Sequence, residues 1–387
     1  MRKYIILFIL LLITVNCSSQ TGIFPKVDLD TAEASATLPN PISIVTDVAN
    51  NQIVVANANT DILFETGSMA VLSVDATDTD AVVLAIEDII EAPNFATQMF
   101  FDGANTIYLP YREEFSAGAA DDILVQYTLG AGSIEEEERV TVAADPFGMM
   151  GDGTNLFVVS NDMVSVYDYA LTEDTAIDLT VATDDGLDDT DAVDVLAIAY
   201  DATNDRAFVS NSGGKMFVLD LATNELVQAV TGPTSTRNLI INNDILYVID
   251  AITETVMVFD VNALVAATDA PEAVDDSSFL LATITVGNDP YGMAIDAANN
   301  RLYVGNLADD SLSVIDTLTY QEIARISLDS DDIATGFKRD CDEPFALALD
   351  TYNAVPFVFI ACAASHDITV VNTETLEVVS VFPNTKI

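Results

Sequence analysis

The stretch from Asp289 to Leu328 is repeated along the chain, and that repetition constrains the fold more than any other feature. It opens on Asp289-Pro290-Tyr291-Gly292-Met293. Four short apolar runs follow, Gly292–Asp296, Leu302–Gly305, Leu312–Asp316 and Glu322–Leu328, divided by turn residues. Each run has the length of an ordinary strand, and the turns fall at close, regular spacing. Similar units occur six more times. Self-similarity of this kind marks repeat architectures, so it outranks local propensity in deciding the fold.

The units span about residues 41–87, 94–142, 145–183, 194–230, 234–286, 289–328 and 343–382. In the first, strands are expected near Ile42–Thr46, Gln52–Ala56, Met69–Asp75 and Ala81–Glu87. No long helical pattern interrupts them beyond a turn at Asn262–Ala267. A solenoid of parallel coils has shorter repeats, and a TIM barrel needs amphipathic helices between its strands. The pattern therefore specifies an all-β chain, a seven-bladed β-propeller of four-stranded antiparallel blades. Two modes of ring closure are open. The last unit holds four strands, ending in Glu377–Phe382, and closes without strand exchange; alternatively Gly22–Asp28 adds an outer or closing strand.

The N-terminus carries an address. Arg2-Lys3 precede the apolar run Tyr4–Val15, too short for a bilayer span of roughly 20 residues but suited to an export signal over residues 1–16. Ile13-Thr14-Val15-Asn16-Cys17 resembles the lipobox of bacterial lipoproteins, with Asn16 where a small residue is usual. On that reading Cys17 is lipidated and residues 17–40 form a polar tether to the propeller at 41–387; the other reading is ordinary cleavage elsewhere. The expected location is the cell envelope, periplasmic or surface-facing.

Charge narrows the partners. Lys and Arg number 13 against 62 Asp and Glu, a formal net charge of −49 that loss of Arg2 and Lys3 makes more negative. Such a field repels nucleic acid and anionic lipid, and favours cations and basic partners. A salty or mineral-rich milieu accounts for it without any specific ion. Half the residues are apolar, so a large core is available and wholesale disorder is excluded. Cys341 and Cys362 fall at strand ends that adjacent antiparallel strands bring together, and in an exported chain they are expected to form a disulfide.

Particular residues then suggest a family. Asp289-Pro290-Tyr291-Gly292-Met293-Ala294-Ile295-Asp296, Arg301-Leu302-Tyr303-Val304-Gly305-Asn306 and Ser313-Val314-Ile315-Asp316 strongly resemble the YVTN repeat. Val55-Ala56-Asn57, Val159-Ser160-Asn161 and Val209-Ser210-Asn211 fit its second strand, and Val218-Leu219-Asp220 and Val258-Phe259-Asp260 its third. The resemblance covers about Pro41–Phe382. It implies an extracytoplasmic, often surface-associated propeller whose repeat carries no catalytic residues. It also implies that the first strand of each blade lines the channel. The connections between blades and between second and third strands would share one rim. The insertions Asn57–Ser68, Tyr111–Asp121, Asp184–Asp194 and Asp329–Glu343 would crowd that rim, with Asn262–Ser278 the exception on the opposite side.

Candidate chemistry is sparse. Asp184, Asp185, Asp188, Asp189 and Asp191 form an Asp-rich loop with the oxygen chemistry calcium needs, although the spacing is not that of an EF-hand and a solvated acidic loop is the plainer reading. Asp75, Asp78 and Asp80, and Asp329, Asp331 and Asp332, are similar clusters. Glu135–Glu138 reads as a charged outer edge that discourages aggregation. His366 is the one histidine, which argues against zinc, haem or a Ser-His triad. Tyr111, Arg112, Phe115, Arg237, Lys338, Arg339 and His366 make a possible ligand rim, expected to be exposed, where they would meet an anionic ligand or satisfy nearby carboxylates. Pro146-Phe147-Gly148 and Pro290-Tyr291-Gly292 read as structural turns into crowded inner strands, with their rings as core packing.

Three functions remain in view. The first is a non-enzymatic, lipid-anchored scaffold that binds a protein, peptide or carbohydrate. The second is a metal-dependent, lactonase-like hydrolase with a divalent ion at the channel mouth. The third is a structural or calcium-binding envelope protein.

Overall fold

A computed structural model describes residues 38–60, 66–112, 122–179, 195–266, 274–331 and 338–383. Seven antiparallel blades follow one another along the chain. Blade one is Pro41–Asp47, Gln52–Asn57, Gly67–Asp75 and Val83–Ala92, paired in that order. Blade six is Pro290–Asp296, Arg301–Asn306, Ser311–Asp316 and Gln321–Ser327. Blade seven is Pro344–Tyr352, Val355–Cys362, Asp367–Asn372 and Glu377–Phe382. Blade two departs most from the pattern, for its innermost strand is only Phe100–Phe101, helped by a bridge between Ala96 and Tyr111.

Burial follows position within a blade. The second strand of blade one is buried along its whole length, whereas the fourth strand of blade six, Gln321–Ser327, alternates exposed and partly buried residues. A middle strand is covered on both faces because a blade packs against two neighbours. The core is accordingly divided into seven apolar clusters, each between two adjacent blades. One of them joins Ile44, Ile53 and Leu72 of blade one to Phe357, Phe359 and Ile368 of blade seven.

The ring closes across that cluster with both blades complete in sequence. Hydrogen bonds supplement it: Tyr352 Oη donates to the Gln52 carbonyl (3.1 Å), Asn353 Nδ2 to the Ala76 carbonyl (2.9 Å) and Thr46 Oγ1 to Asp350 Oδ2 (2.9 Å). The segment Gly22–Asp28, the other candidate for closure, lies outside the described residues.

Short polar residues end the strands. Asp296 accepts the Asn299 N–H at 3.0 Å, and Asp316 accepts those of Leu318 and Thr319 at 2.9 and 2.8 Å. Aspartate at such positions satisfies turn amides that no ladder reaches. Asp75 does the same for the N–H and hydroxyl of Thr77, and Asp78 for the Asp80 N–H, so two carboxylates of this candidate cluster serve as turn caps. Part of the acid load is therefore invested in the fold.

Two insertions modify the ring. After the third strand of blade five, a short helix, Val261–Ala266, and the strand Val274–Asp275 reach back to blade four. Val274–Asp275 lies parallel to that blade's outer strand and makes it five-stranded. Between blades six and seven, Asp329–Asp331 and Lys338–Asp340 form a hairpin. Its base is pinned by the disulfide Cys341–Cys362, with a Cα–Cα distance of 5.2 Å. Pro344, not Cys341, stands opposite Cys362 in the ladder, and Glu343 at φ 58° turns the chain so that Cys341 comes beside it.

Candidate functional site

The inner strands begin at the rim where blades are connected, and the residues just before and after their opening prolines converge there. Asn40, Asp145, Asp289 and Glu343 precede Pro41, Pro146, Pro290 and Pro344, and all four have positive φ, between 51° and 58°. Asn and Asp tolerate this left-handed conformation better than most residues. The turn carries the Asp145 and Asp289 carboxylates to two arginines. Arg112 Nη2 lies 2.8 Å from Asp145 Oδ1, and Arg237 Nη1 lies 2.6 Å from Asp289 Oδ1.

The next residue in each opening is aromatic in blades three, six and seven. Phe147, Tyr291 and Phe345 are partly buried rather than sealed between blades. The Arg112 guanidinium stands 5.7 Å from the Phe147 ring centre and that of Arg237 5.5 Å from Tyr291. Tyr291 and Phe345 pack with ring centres 4.2 Å apart. After Phe147 and Tyr291 a glycine follows, and it bears on the direction of their rings. A Cβ on Gly292 would lie 2.5 Å from the Phe345 carbonyl oxygen, and one on Gly148 2.6 Å from that of Leu196. The glycine side of the strand is thus pressed against the neighbouring blade, and the aromatic side is left for the mouth.

Electrostatics tie the two arginines to one spot. The Tyr291 phenol is pushed up to about 12 by burial; Arg237 and Arg112 act to lower it and Asp289 to raise it. Arg112 follows the second strand of blade two, whereas Tyr291 opens blade six. At neutral pH the phenol remains protonated and is a hydrogen-bond donor. The side chains of Arg112 and Arg237 are only 19% and 15% exposed, which places their heads at the mouth and not in open solvent.

The other rim candidates fare differently. Tyr111 is not exposed: it is completely buried, and its hydroxyl lies 2.7 Å from that of Tyr127. Burial, chiefly, raises its phenol well above the ordinary tyrosine range. The physical reason is the two-sided covering of Thr106–Tyr111, where strand alternation gives no outward face. His366 Nδ1 accepts the Asn40 N–H at 2.9 Å, fastening the start of blade one to blade seven. Lys338 and Arg339 lie on the rim hairpin, their backbones paired with Asp331 and Ser330. Phe115, Cys17 and the loop of Asp184, Asp185, Asp188, Asp189 and Asp191 lie outside the described residues. Among the described residues, Cys341, Cys362 and Asp367 come close enough to share an ion, but the disulfide has taken both thiolates.

Sequence reasoning missed Tyr291, Phe147 and Phe345 as mouth residues. For Phe147 and Tyr291 the signal was available in the Pro-aromatic-Gly order, since a glycine forced against the next blade fixes the opposite direction for the ring; Phe345 is followed by Ala346 and carried no such signal.

No family model matches the chain, and no curated protein does. Solved structures do. Hydrazine synthase of Kuenenia stuttgartiensis superposes with a TM-score of 0.64 at 12% identity, covering 93% of this chain and 100% of that one. Sqt1 of Saccharomyces cerevisiae gives 0.57 at 8% identity, over 89% of this chain and 86% of that one. At such identities the likeness is one of fold.

Proposed function

We propose that this chain is an exported, lipid-anchored binding scaffold that takes a protein, peptide or carbohydrate partner at the rim where its blades are connected. The observation that carries the reading is the convergence of Arg112 and Arg237 with Phe147, Tyr291 and Phe345 at the channel mouth. Arginine and aromatic side chains are the residue types that dominate recognition surfaces, and rigid strands hold them here. The family resemblance and the signal-like N-terminus supply the address, with Cys17 as the lipidated residue. A lactonase-type reaction fits the mouth less well, because a divalent cation placed there would meet two guanidinium groups. Fold alone assigns no function, so the reading rests on the site.

Native mass spectrometry of the protein purified from its own envelope tests this. The expected spectrum shows a lipid mass on Cys17 and a bound polypeptide or glycan that is lost in an Arg112→Glu/Arg237→Glu variant. Chelator-sensitive hydrolysis of lactones by the purified chain would overturn it.

A further inference from the structure

We infer that the channel mouth is a receptor for the C-terminal carboxylate of a basic peptide, held by Arg237 and Tyr291. The inference rests on the binding reading above and names its ligand.

The donors come first. Arg237 spends Nη1 on Asp289, and among the described residues no other contact from this guanidinium to a protein acceptor is present. Its Nε and Nη2 remain to serve a ligand. The Tyr291 hydroxyl likewise has no protein hydrogen-bond partner among the described residues. The guanidinium stands 5.5 Å from the Tyr291 ring centre, so its free N–H groups and the phenol hydroxyl can both serve the oxygens of one anion.

Charge selects the anion. Asp145 and Asp289 each pair with one of the two arginines. A dianion such as phosphate would add two negative charges to the mouth of a chain of net charge −49, whereas a single carboxylate adds one. The same field acts on the rest of the ligand. A body rich in lysine or arginine is drawn to the acidic surface, and an acidic body is repelled. An anionic tip on a cationic chain satisfies both, and the C-terminus of a basic polypeptide has that form. The rings add specificity for position: Tyr291 and Phe345, packed with their planes 31° apart, form an aromatic wall against which the last residue's side chain can lie.

The experiment uses the full chain and fluorescein-labelled octapeptide pools read by anisotropy. One pool contains lysine at mixed positions and ends in a free carboxylate. The second is the same pool ending in an amide, and the third replaces lysine by glutamate with the carboxylate free. The expected result is at least tenfold tighter binding of the first pool than of either other. An Arg237→Gln/Asp289→Asn variant removes donor and partner together, so no buried charge is stranded and the fold is kept; circular dichroism checks this. That variant, and Tyr291→Phe separately, should shrink the preference for carboxylate over amide to under threefold while weaker, salt-sensitive binding of lysine peptides survives. Equal binding of the free and amidated lysine pools would overturn the carboxylate receptor and leave the scaffold reading standing. Tighter binding of the glutamate pool would overturn it too. Absence of binding by every pool would overturn the receptor and, with it, the polypeptide version of the proposed function.

Discussion

At the scale of single residues, much of this chain is set by backbone positions that L-amino acids avoid. The turns at Pro146-Phe147-Gly148 and Pro290-Tyr291-Gly292 were legible from proline and glycine, and the left-handed positions just before the prolines fall on Asp145 and Asp289, as on Asn40 before Pro41, where the left-handed cost is small. Ala354 is the counter-example. It follows Asn353 in the two-residue turn between Tyr352 and Val355, and both have positive φ, 50° and 67°. That is the geometry in which Asn-Gly is strongly preferred. The alanine methyl is exposed and holds nothing. Left-handed backbone costs a non-glycine residue about 1–2 kcal/mol, and glycine returns roughly half of that in unfolded-state entropy. Ala354→Gly should therefore raise stability by about 0.5–1 kcal/mol, seen as a higher urea midpoint with an unchanged m-value.

Gln228 is strained in another way. It is fully buried in the outer strand of blade four, opposite Val218 of an apolar cluster, and neither side-chain amide atom has a partner among the described residues. Nothing in the residue pattern marks this burial, since outer strands are ordinarily solvated. Burial here comes from the excursion of blade five, whose helix Val261–Ala266 contributes Val261 and Leu264 to the same cluster. An unmet buried amide costs about 1–3 kcal/mol. Gln228→Met keeps the volume and removes the polar atoms, so it should stabilise the protein by about 1–2 kcal/mol in denaturant titration. A loss of stability would mean that the amide is satisfied in solution.

At the scale of elements, the blade was readable almost strand by strand because each one repeats its turn chemistry. The site was not, because it is made by bending the row of blades into a ring. Residues 112, 147, 237, 291 and 345 are scattered over five blades, and no local pattern marks their meeting. Tyr111 shows the complementary error: a tyrosine beside an arginine at a loop looked exposed, yet middle strands of a propeller have no free face. The disulfide lies between these cases. Cys341 and Cys362 are 21 residues apart, and a cross-link of that span is worth about 3 kcal/mol through the unfolded chain. Replacing both by serine should lower stability by about that amount and loosen the hairpin Asp329–Asp331/Lys338–Asp340 first, as faster hydrogen exchange at its amides. Thiol trapping in intact cells adds a compartment test, because the pair should be found oxidised in an exported chain.

At the scale of the whole molecule, opposite effects of salt on stability and on binding are the expected signature of so acidic a ring. Arginine pairs such as Arg112–Asp145, Arg206–Asp220 and Arg325–Asp309 are few, and each contributes at most about 1 kcal/mol near a surface. Against them stand 62 carboxylates and only 13 cationic side chains, so repulsion outweighs attraction and folding works against it. Raising NaCl from about 10 mM to about 150 mM shortens the Debye length from about 30 Å to about 8 Å, which separates blades electrostatically while leaving hydrogen-bonded pairs mostly intact. The thermal midpoint should rise over that range and then flatten, equally in KCl. A further rise with calcium at matched ionic strength would point to ion binding in the acidic loops. Affinity for lysine-rich peptides draws on the same field, so it should fall over the range in which stability climbs. Peptide affinity that held constant as the midpoint rose would separate the two effects and remove charge complementarity from the account of how this ring chooses a partner.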